Sequence, residues 1–289
     1  MFERRRLRPS RAKRAPWESG HSAAKHNELL GSRWFVVEAN IRQMKKDCIL
    51  VLDIDGTLTD SISMHQEALL GAMQALGLTR LNTDWGSYPH HTDTGIFAHA
   101  LAENGVEASS SDVAASFERD LDNRFAILLA ERGLREVPGA RALVLAAAQT
   151  RWGVVFATGG IRSVSRRKLR AVKIDFAEEV LISSSEHASR RNLVEAAVNR
   201  AMQVYDISNP RAVTSVGDGL WDLRVAGELG LGFVGVGGPD SRSVHALRAQ
   251  GATVFSDLHE AIPHVISPDI QLPGGTVSGA TSTVLASCP

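Results

Sequence analysis

The chain has 289 residues, 44% of them hydrophobic and 22% charged, with 25 Gly and only 2 Cys. That profile argues against disordered, collagen-like and disulfide-scaffold classes and allows one large or two modest domains. Cys48 and Cys288 have no CxxC or Cys/His spacing, so neither a zinc site nor an oxidising compartment is indicated, and no apolar run reaches the roughly 18 residues of a membrane span. A cytoplasmic globular protein with no membrane partner is expected.

The zero formal charge hides an asymmetry. Residues 1–46 carry 12 Lys/Arg against 4 Asp/Glu, leaving 20 basic and 28 acidic residues for the remainder. The leader lacks sustained apolar periodicity and a secretory apolar stretch, so it reads as a solvated basic tail. Translation from Met44 is a second reading, because MKKDCILVLDIDGT runs straight into a strand. An organellar transit peptide and a nucleic-acid-binding arm are further readings of the same charge, the first weakened by Glu3 and Glu18.

From Asp47 onward short apolar runs alternate with helical patterns, which predicts parallel strands joined by helices. The runs are 48–52, 153–157, 180–182, 212–216 and 232–236, mostly aliphatic or β-branched, as suits strands buried on both faces. About 100 residues separate the first two runs, far more than one crossover helix needs, so an insertion with its own core is expected. Ala68, Leu69, Ala72, Met73 and Leu76 form one apolar helix face. A second helix from Asp112 carries Val113, Phe117, Leu121, Phe125 and Leu128, with Gly133 as its stop. Between them a helix over 94–103 has N-cap candidates in Asp93 and Thr94. Pro138 is expected at the start of the helix over 140–148. Residues 61–137 thus read as a helical module inserted into an α/β domain made of 47–60 and 138–266. Helices are expected over 162–170, 193–202, 241–250 and 256–266, followed by a Pro, Gly, Ser and Thr-rich tail over 267–289.

The chemistry-bearing residues fall at strand ends. The first strand runs into Asp53-Ile54-Asp55-Gly56-Thr57, placing two carboxylates on one face at the carboxyl end of a parallel strand, where open sheets bind ligands. The fourth runs into Asp218, with Asp222 four residues on and within reach if a helix begins there. Clustered acids require a cation, and oxygen ligands at this density suit magnesium better than zinc or copper. After the second strand, Thr158-Gly159-Gly160 ahead of a basic helix is a cradle for a phosphate. After the third, Arg190 or Arg191 could neutralise both a phosphoryl group and the acids.

Acids, hydroxyl-glycine, base and acids again, each after its own strand, make the sequence resemble the haloacid dehalogenase-like hydrolase superfamily, in particular its phosphoglycolate phosphatase-like branch with a helical cap. The resemblance spans about residues 47–266 and is most specific at DIDGTLTDS (Asp53 to Ser61) and GDGLWD. It implies a three-layer Rossmann-like core with a central parallel sheet and an inserted cap over 61–137. It further implies that Asp53 is the nucleophile, forming an aspartyl-phosphate, and that Asp55 is the acid for the leaving oxygen and the base for water. Magnesium would be held by Asp53, the backbone carbonyl of Asp55, and Asp218, with Asp222 in support. Thr158 and the Gly159 amide would bind the phosphoryl group. Arg190 would fill the basic position, with Arg191 second, although relatives have Lys followed by Pro there. Asp60 and Ser61 sit at the hinge into the cap, where Ser61 reads as a helix N-cap.

Asp55 separates this chain from relatives that are dehalogenases or ion pumps, and a cap without lysine separates it from phosphonate hydrolases. A magnesium-dependent phosphatase acting on a small phosphorylated metabolite is therefore expected. A sugar-phosphate phosphomutase is the enzymatic alternative, and a non-catalytic binding module using the Arg-rich leader is the other. Nucleic acid is not the expected partner. His91, Thr92 and Asp93, in the polar cap segment 85–93, are candidate substrate contacts, and Trp221 reads as packing.

Overall fold

The computed structural model describes residues 45–106 and 111–266. The readings made for the basic leader, for Met44 as a start and for the tail from 267 lie outside the described residues, apart from Lys45 and Lys46. The apolar runs assemble into a parallel sheet of β1 (Cys48–Leu52), β2 (Trp152–Ala157), β3 (Leu181–Ile182), β4 (Ala212–Gly217), β5 (Gly232–Val236) and β6 (Val254–Phe255), in the order β3-β2-β1-β4-β5-β6. All five pairings are parallel. Every residue of β1 and β2 is buried. Since neighbouring side chains point to opposite faces, both faces of the sheet centre are covered, which is why these runs show no polar alternation.

The sixth strand was not expected. Its two residues are too short to register as an apolar run, and pairing with β5 creates it, with Gly235 N–H donating to the Thr253 carbonyl at 2.8 Å and Gly237 N–H to that of Phe255 at 3.0 Å. The helix expected from 256 correspondingly starts at Leu258. The helices are α1 (Ile62–Ala75), α2 (Asp93–Glu103), α3 (Ser111–Arg132), α4 (Ala140–Ala148), α5 (Arg162–Ala171), α6 (Arg190–Val204), α7 (Leu220–Glu228), α8 (Arg242–Ala249) and α9 (Leu258–Ile266).

Two capping expectations are corrected. Thr92, not Asp93 or Thr94, caps α2, its hydroxyl accepting from Gly95 N–H at 3.1 Å. Gly139, not Pro138, sits at the start of α4, in a left-handed conformation with φ 87°.

Helices α1, α2 and α3 bury their apolar faces together. Met73 and Ala72 of α1, Phe97 of α2, and Phe117, Leu121 and Phe125 of α3 are all at most 4% exposed, and the Phe97 and Phe117 rings stack at 4.0 Å. Each such aromatic or aliphatic side chain contributes about 1.5–3 kcal/mol by leaving water. Ile161 and Val164 at the start of α5 complete this second hydrophobic cluster. The insertion therefore does not close its core alone, because an element of the α/β unit supplies part of it.

Candidate active site

The register of the sheet gathers the site. β1 lies between β2 and β4, with Leu52 level with Phe156 on one side and Val216 on the other. Asp53, Thr158 and Asp218 therefore emerge side by side where neighbouring connections run to opposite sides of the sheet, the crevice in which such sheets bind ligands. Gly56 lets the chain turn back. Its φ is 79°, and a Cβ there would collide with the Asp218 carboxylate, so only glycine meets both the backbone and the space requirement.

Asp53, Asp218 and Asp222 are all buried, with ligand-capable atoms within 4.8 Å of one another, and they form the group suited to an ion among the described residues. Helix α7 begins directly after Asp218, as the spacing required, and Asp222 in its first turn accepts from Gly219 N–H at 3.2 Å. Arg190 Nη2 donates to Asp53 and to Asp222, both at 2.6 Å. Three carboxylates against one guanidinium leave two negative charges, which matches a divalent cation, and an all-oxygen donor set suits a hard one. The electrostatics agree. Burial raises the Asp53 carboxyl to about 7, aided by the charges of Asp222 and Asp55 and opposed by Arg190. Burial likewise lifts Asp218 well above its ordinary 3.8, with Asp53 and Asp222 adding to the effect. The Thr57 hydroxyl reaches the Asp53 carboxylate at 3.2 Å and steadies it.

The other expected residues divide. Thr158 is fully buried, and its hydroxyl accepts from Gly160 N–H at 3.1 Å. Gly159 is pressed so closely by the carbonyl of His91 and by Arg190 that a Cβ would overlap them. Arg190 is buried, and its Nε has no hydrogen-bond partner. Arg191 is not brought to the site. One residue further along α6 it points away, half exposed, toward Glu195 at 3.5 Å and Glu228 at 3.9 Å.

His91 stacks on Trp221 at 4.0 Å, so the Trp221 ring, which also lies over Gly219, packs against the insertion. Thr92 and Asp93 line the same cavity, but their polar atoms are committed to the fold. The Thr92 hydroxyl donates to the Ala188 carbonyl at 2.5 Å, and Asp93 accepts from Ile161 N–H at 2.8 Å while its other oxygen meets His65 at 2.7 Å.

Ser61 corrects the hinge reading. It makes no side-chain cap for α1, and its hydroxyl donates to Asp55 at 2.5 Å, while Asp60 faces solvent and pairs with Arg135. The residue missed altogether is Lys168. Its side chain is wholly buried, and Nζ donates to both oxygens of Asp55 at 2.6 and 2.7 Å and to His65 Nδ1 at 2.9 Å. Because Nδ1 accepts, Nε2 carries the proton donated to Asp93, which fixes the imidazole tautomer. Burial alone would raise the Asp55 carboxyl, but Lys168, helped by His65 and the Ser61 hydroxyl, outweighs it and holds the group at about 2. The signal lay in the helical spacing: Val164, Ser165, Lys168 and Leu169 form the buried face of α5, and a lysine on such a face needs a buried anion.

The cavity over these groups, about 120 Å³, is lined by Asp53, Asp55, Gly159, Gly160 and Arg190 from the α/β unit and by residues of the insertion. Among the described residues no helix is long and apolar enough to cross a membrane.

Known proteins bear on this geometry. The sequence matches the haloacid dehalogenase-like hydrolase model over residues 49–230. No curated protein matches it. Among solved structures it is similar to a hydrolase from Pseudomonas syringae, at 21% identity and TM-score 0.58 over 75% of this chain and 97% of that one. A variant of CbbY from Rhodobacter sphaeroides, in complex with xylulose-1,5-bisphosphate, shares 20% identity with TM-score 0.57 over 73% of this chain and 95% of that one. A putative β-phosphoglucomutase from Bacteroides vulgatus shares 15% identity with TM-score 0.55 over 83% and 96%. At these identities the likeness is one of fold.

Proposed function

The chain belongs to the haloacid dehalogenase-like hydrolase family, and on that premise we propose that it is a magnesium-dependent phosphatase of a small phosphomonoester, working in the cytoplasm through an aspartyl-phosphate. The observation that carries the reading is Arg190, a buried guanidinium tied to two of three clustered carboxylates with its buried Nε left without a partner. That unpaired donor suits a phosphoryl oxygen.

Magnesium would be held by Asp53, Asp218 and Asp222, together with the Asp55 carbonyl. When bound, it neutralises the charge between nucleophile and phosphate and stabilises the transferring oxygens. Asp53 then attacks phosphorus, the bond from phosphorus to the leaving oxygen breaks, and that oxygen takes a proton from Asp55. Lys168, hydrogen-bonded to both Asp55 oxygens, stands behind it as the source of that proton. In the second half-reaction Asp55 takes a proton from the attacking water and hands it back to Lys168, the water oxygen bonds to phosphorus as the bond from phosphorus to Asp53 breaks, and the starting charges are restored. Thr158 and the Gly159 amide hold the phosphoryl oxygens, and the insertion, acting as a cap, excludes bulk water.

The binding-module alternative rests on the leader, which lies outside the described residues. The test is phosphate release from a panel of small phosphomonoesters by the parent and by Asp53→Asn, with magnesium and with chelator. Activity requiring both the metal and Asp53 supports the reading, and an Asp53→Asn variant as active as the parent overturns it.

A further inference from the structure

The part of the cavity that would receive the leaving group is neutral. Its walls are Ile62, Leu69, Trp85, Ile96 and the stacked pair His91 and Trp221, and Arg190 is the one permanent cation among the lining residues. Arg190 already faces Asp53 and Asp222 at 2.6 Å each, so none of its charge is left for a second anion. Arg224 lies near His91, yet it is exposed on α7 and does not line the cavity. His91 carries no compensating charge at neutral pH, since burial, with Arg190, Arg224 and His90 adding to it, lowers its pKa to about 4. The remaining titratable lining groups are acids, Asp53, Asp55 and Asp93, and His65, which is locked between Asp93 and Lys168. Gln66 is the polar lining residue of α1 whose side chain has no hydrogen bond to described residues, and its amide offers neutral N–H donors and a neutral oxygen acceptor.

We infer that the substrate is the phosphomonoester of an uncharged, largely apolar alcohol, with Gln66 meeting its polar group where it has one. A carboxylate or second phosphate on the leaving group would enter a small cavity with apolar walls and no cation free to pair with it, which is strongly unfavourable. Phosphorylated hydroxy-acids and bisphosphates are thereby excluded, and so is a mutase cycle that passes through a bisphosphate. The inference rests on the phosphatase reading for the position of the phosphoryl group.

The experiment uses three esters of nearly the same shape: isopentyl phosphate, the phosphate ester of β-hydroxypropionamide, and that of β-hydroxypropionate. Binding of each to Asp53→Asn with magnesium is measured by calorimetry, and turnover by the parent is measured separately. The two uncharged esters are expected to bind about 100-fold more tightly than the carboxylate. In Gln66→Arg, a change at a partly exposed helix position, the carboxylate ester should gain about tenfold relative to the other two. Equal or tighter binding of the carboxylate ester by the unsubstituted pocket overturns the inference, whatever the turnover. Preferential binding of the uncharged esters without turnover by the parent leaves only the pocket's preference for an uncharged group, and overturns both their standing as substrates and the phosphatase reading.

Discussion

Lys168→Met removes a cation that three buried hydrogen bonds hold in place, and its consequences follow from the structure. Asp55 sits at about 2 against an ordinary 3.8, the net of burial, which raises it, and of Lys168, His65 and Ser61, which together lower it by more; a net difference of that size corresponds to about 2 kcal/mol at neutral pH, and Lys168 is the largest favourable contributor to it. The sign follows from the depressed value: the contribution is complete above the ordinary 3.8 and is lost as pH falls toward 2. Deleting only the lysine strands the carboxylate, so the single variant should lose more than the coupling, about 3–5 kcal/mol. In a domain of this size that lowers Tm by on the order of 10 °C. The assay is urea unfolding in chelator at pH 7 for the parent, Asp55→Asn, Lys168→Met and the double variant. A coupling of about 2 kcal/mol is expected. A coupling below about 0.5 kcal/mol would show that the pair does not act in the folded protein and would refute the reasoning.

Three further outcomes follow from the same geometry. Asp218→Asn removes a buried carboxyl that burial, with Asp53 and Asp222, lifts well above its ordinary value, so metal-free Tm at pH 7 should rise by a few degrees while the Tm increase produced by millimolar magnesium disappears; a retained magnesium shift would show that Asp218 is not a ligand. Because Asp53 is raised from 3.8 to about 7, the folded state holds that proton more tightly, and metal-free stability should fall as pH rises through this interval. Magnesium should flatten the slope, and an unchanged slope with metal would contradict the placement. Gly159→Ala drives a Cβ into the His91 backbone carbonyl and Arg190, so kcat/KM should drop about 100-fold and stability to urea should fall with it; full activity would mean that this contact is not made during turnover.

The loop at Asp53 and the acids of the fourth strand were legible because their placement is local. DIDGT must turn sharply at the end of a strand, and Asp222 must lie one helical turn beyond the first residue after Asp218, so sequence distance stands in for spatial distance. The same holds for Thr158, whereas α6 starts at Arg190 rather than at the expected 193, and on that first turn only one of two adjacent arginines can face the sheet. Helical periodicity settled that the next one, Arg191, faces solvent, but only once the helix was in place.

Lys168, Ser61 and Thr92 were a different matter. Lys168 lies 113 residues from Asp55 and reads as one more cation in a basic stretch until α5 packs against α1 and α3. Ser61 has two uses open to it, capping its own helix or bonding to Asp55, and the choice depends on where Asp55 is held. The two-residue strand β6 has no identity apart from β5. Thus the sequence by itself determined the class of fold and the acids at its strand ends, through hydrophobic pattern and short-range geometry. The tertiary structure alone decided which buried charges meet, because burying an ion is costly and its partner comes from whichever element packing brings alongside.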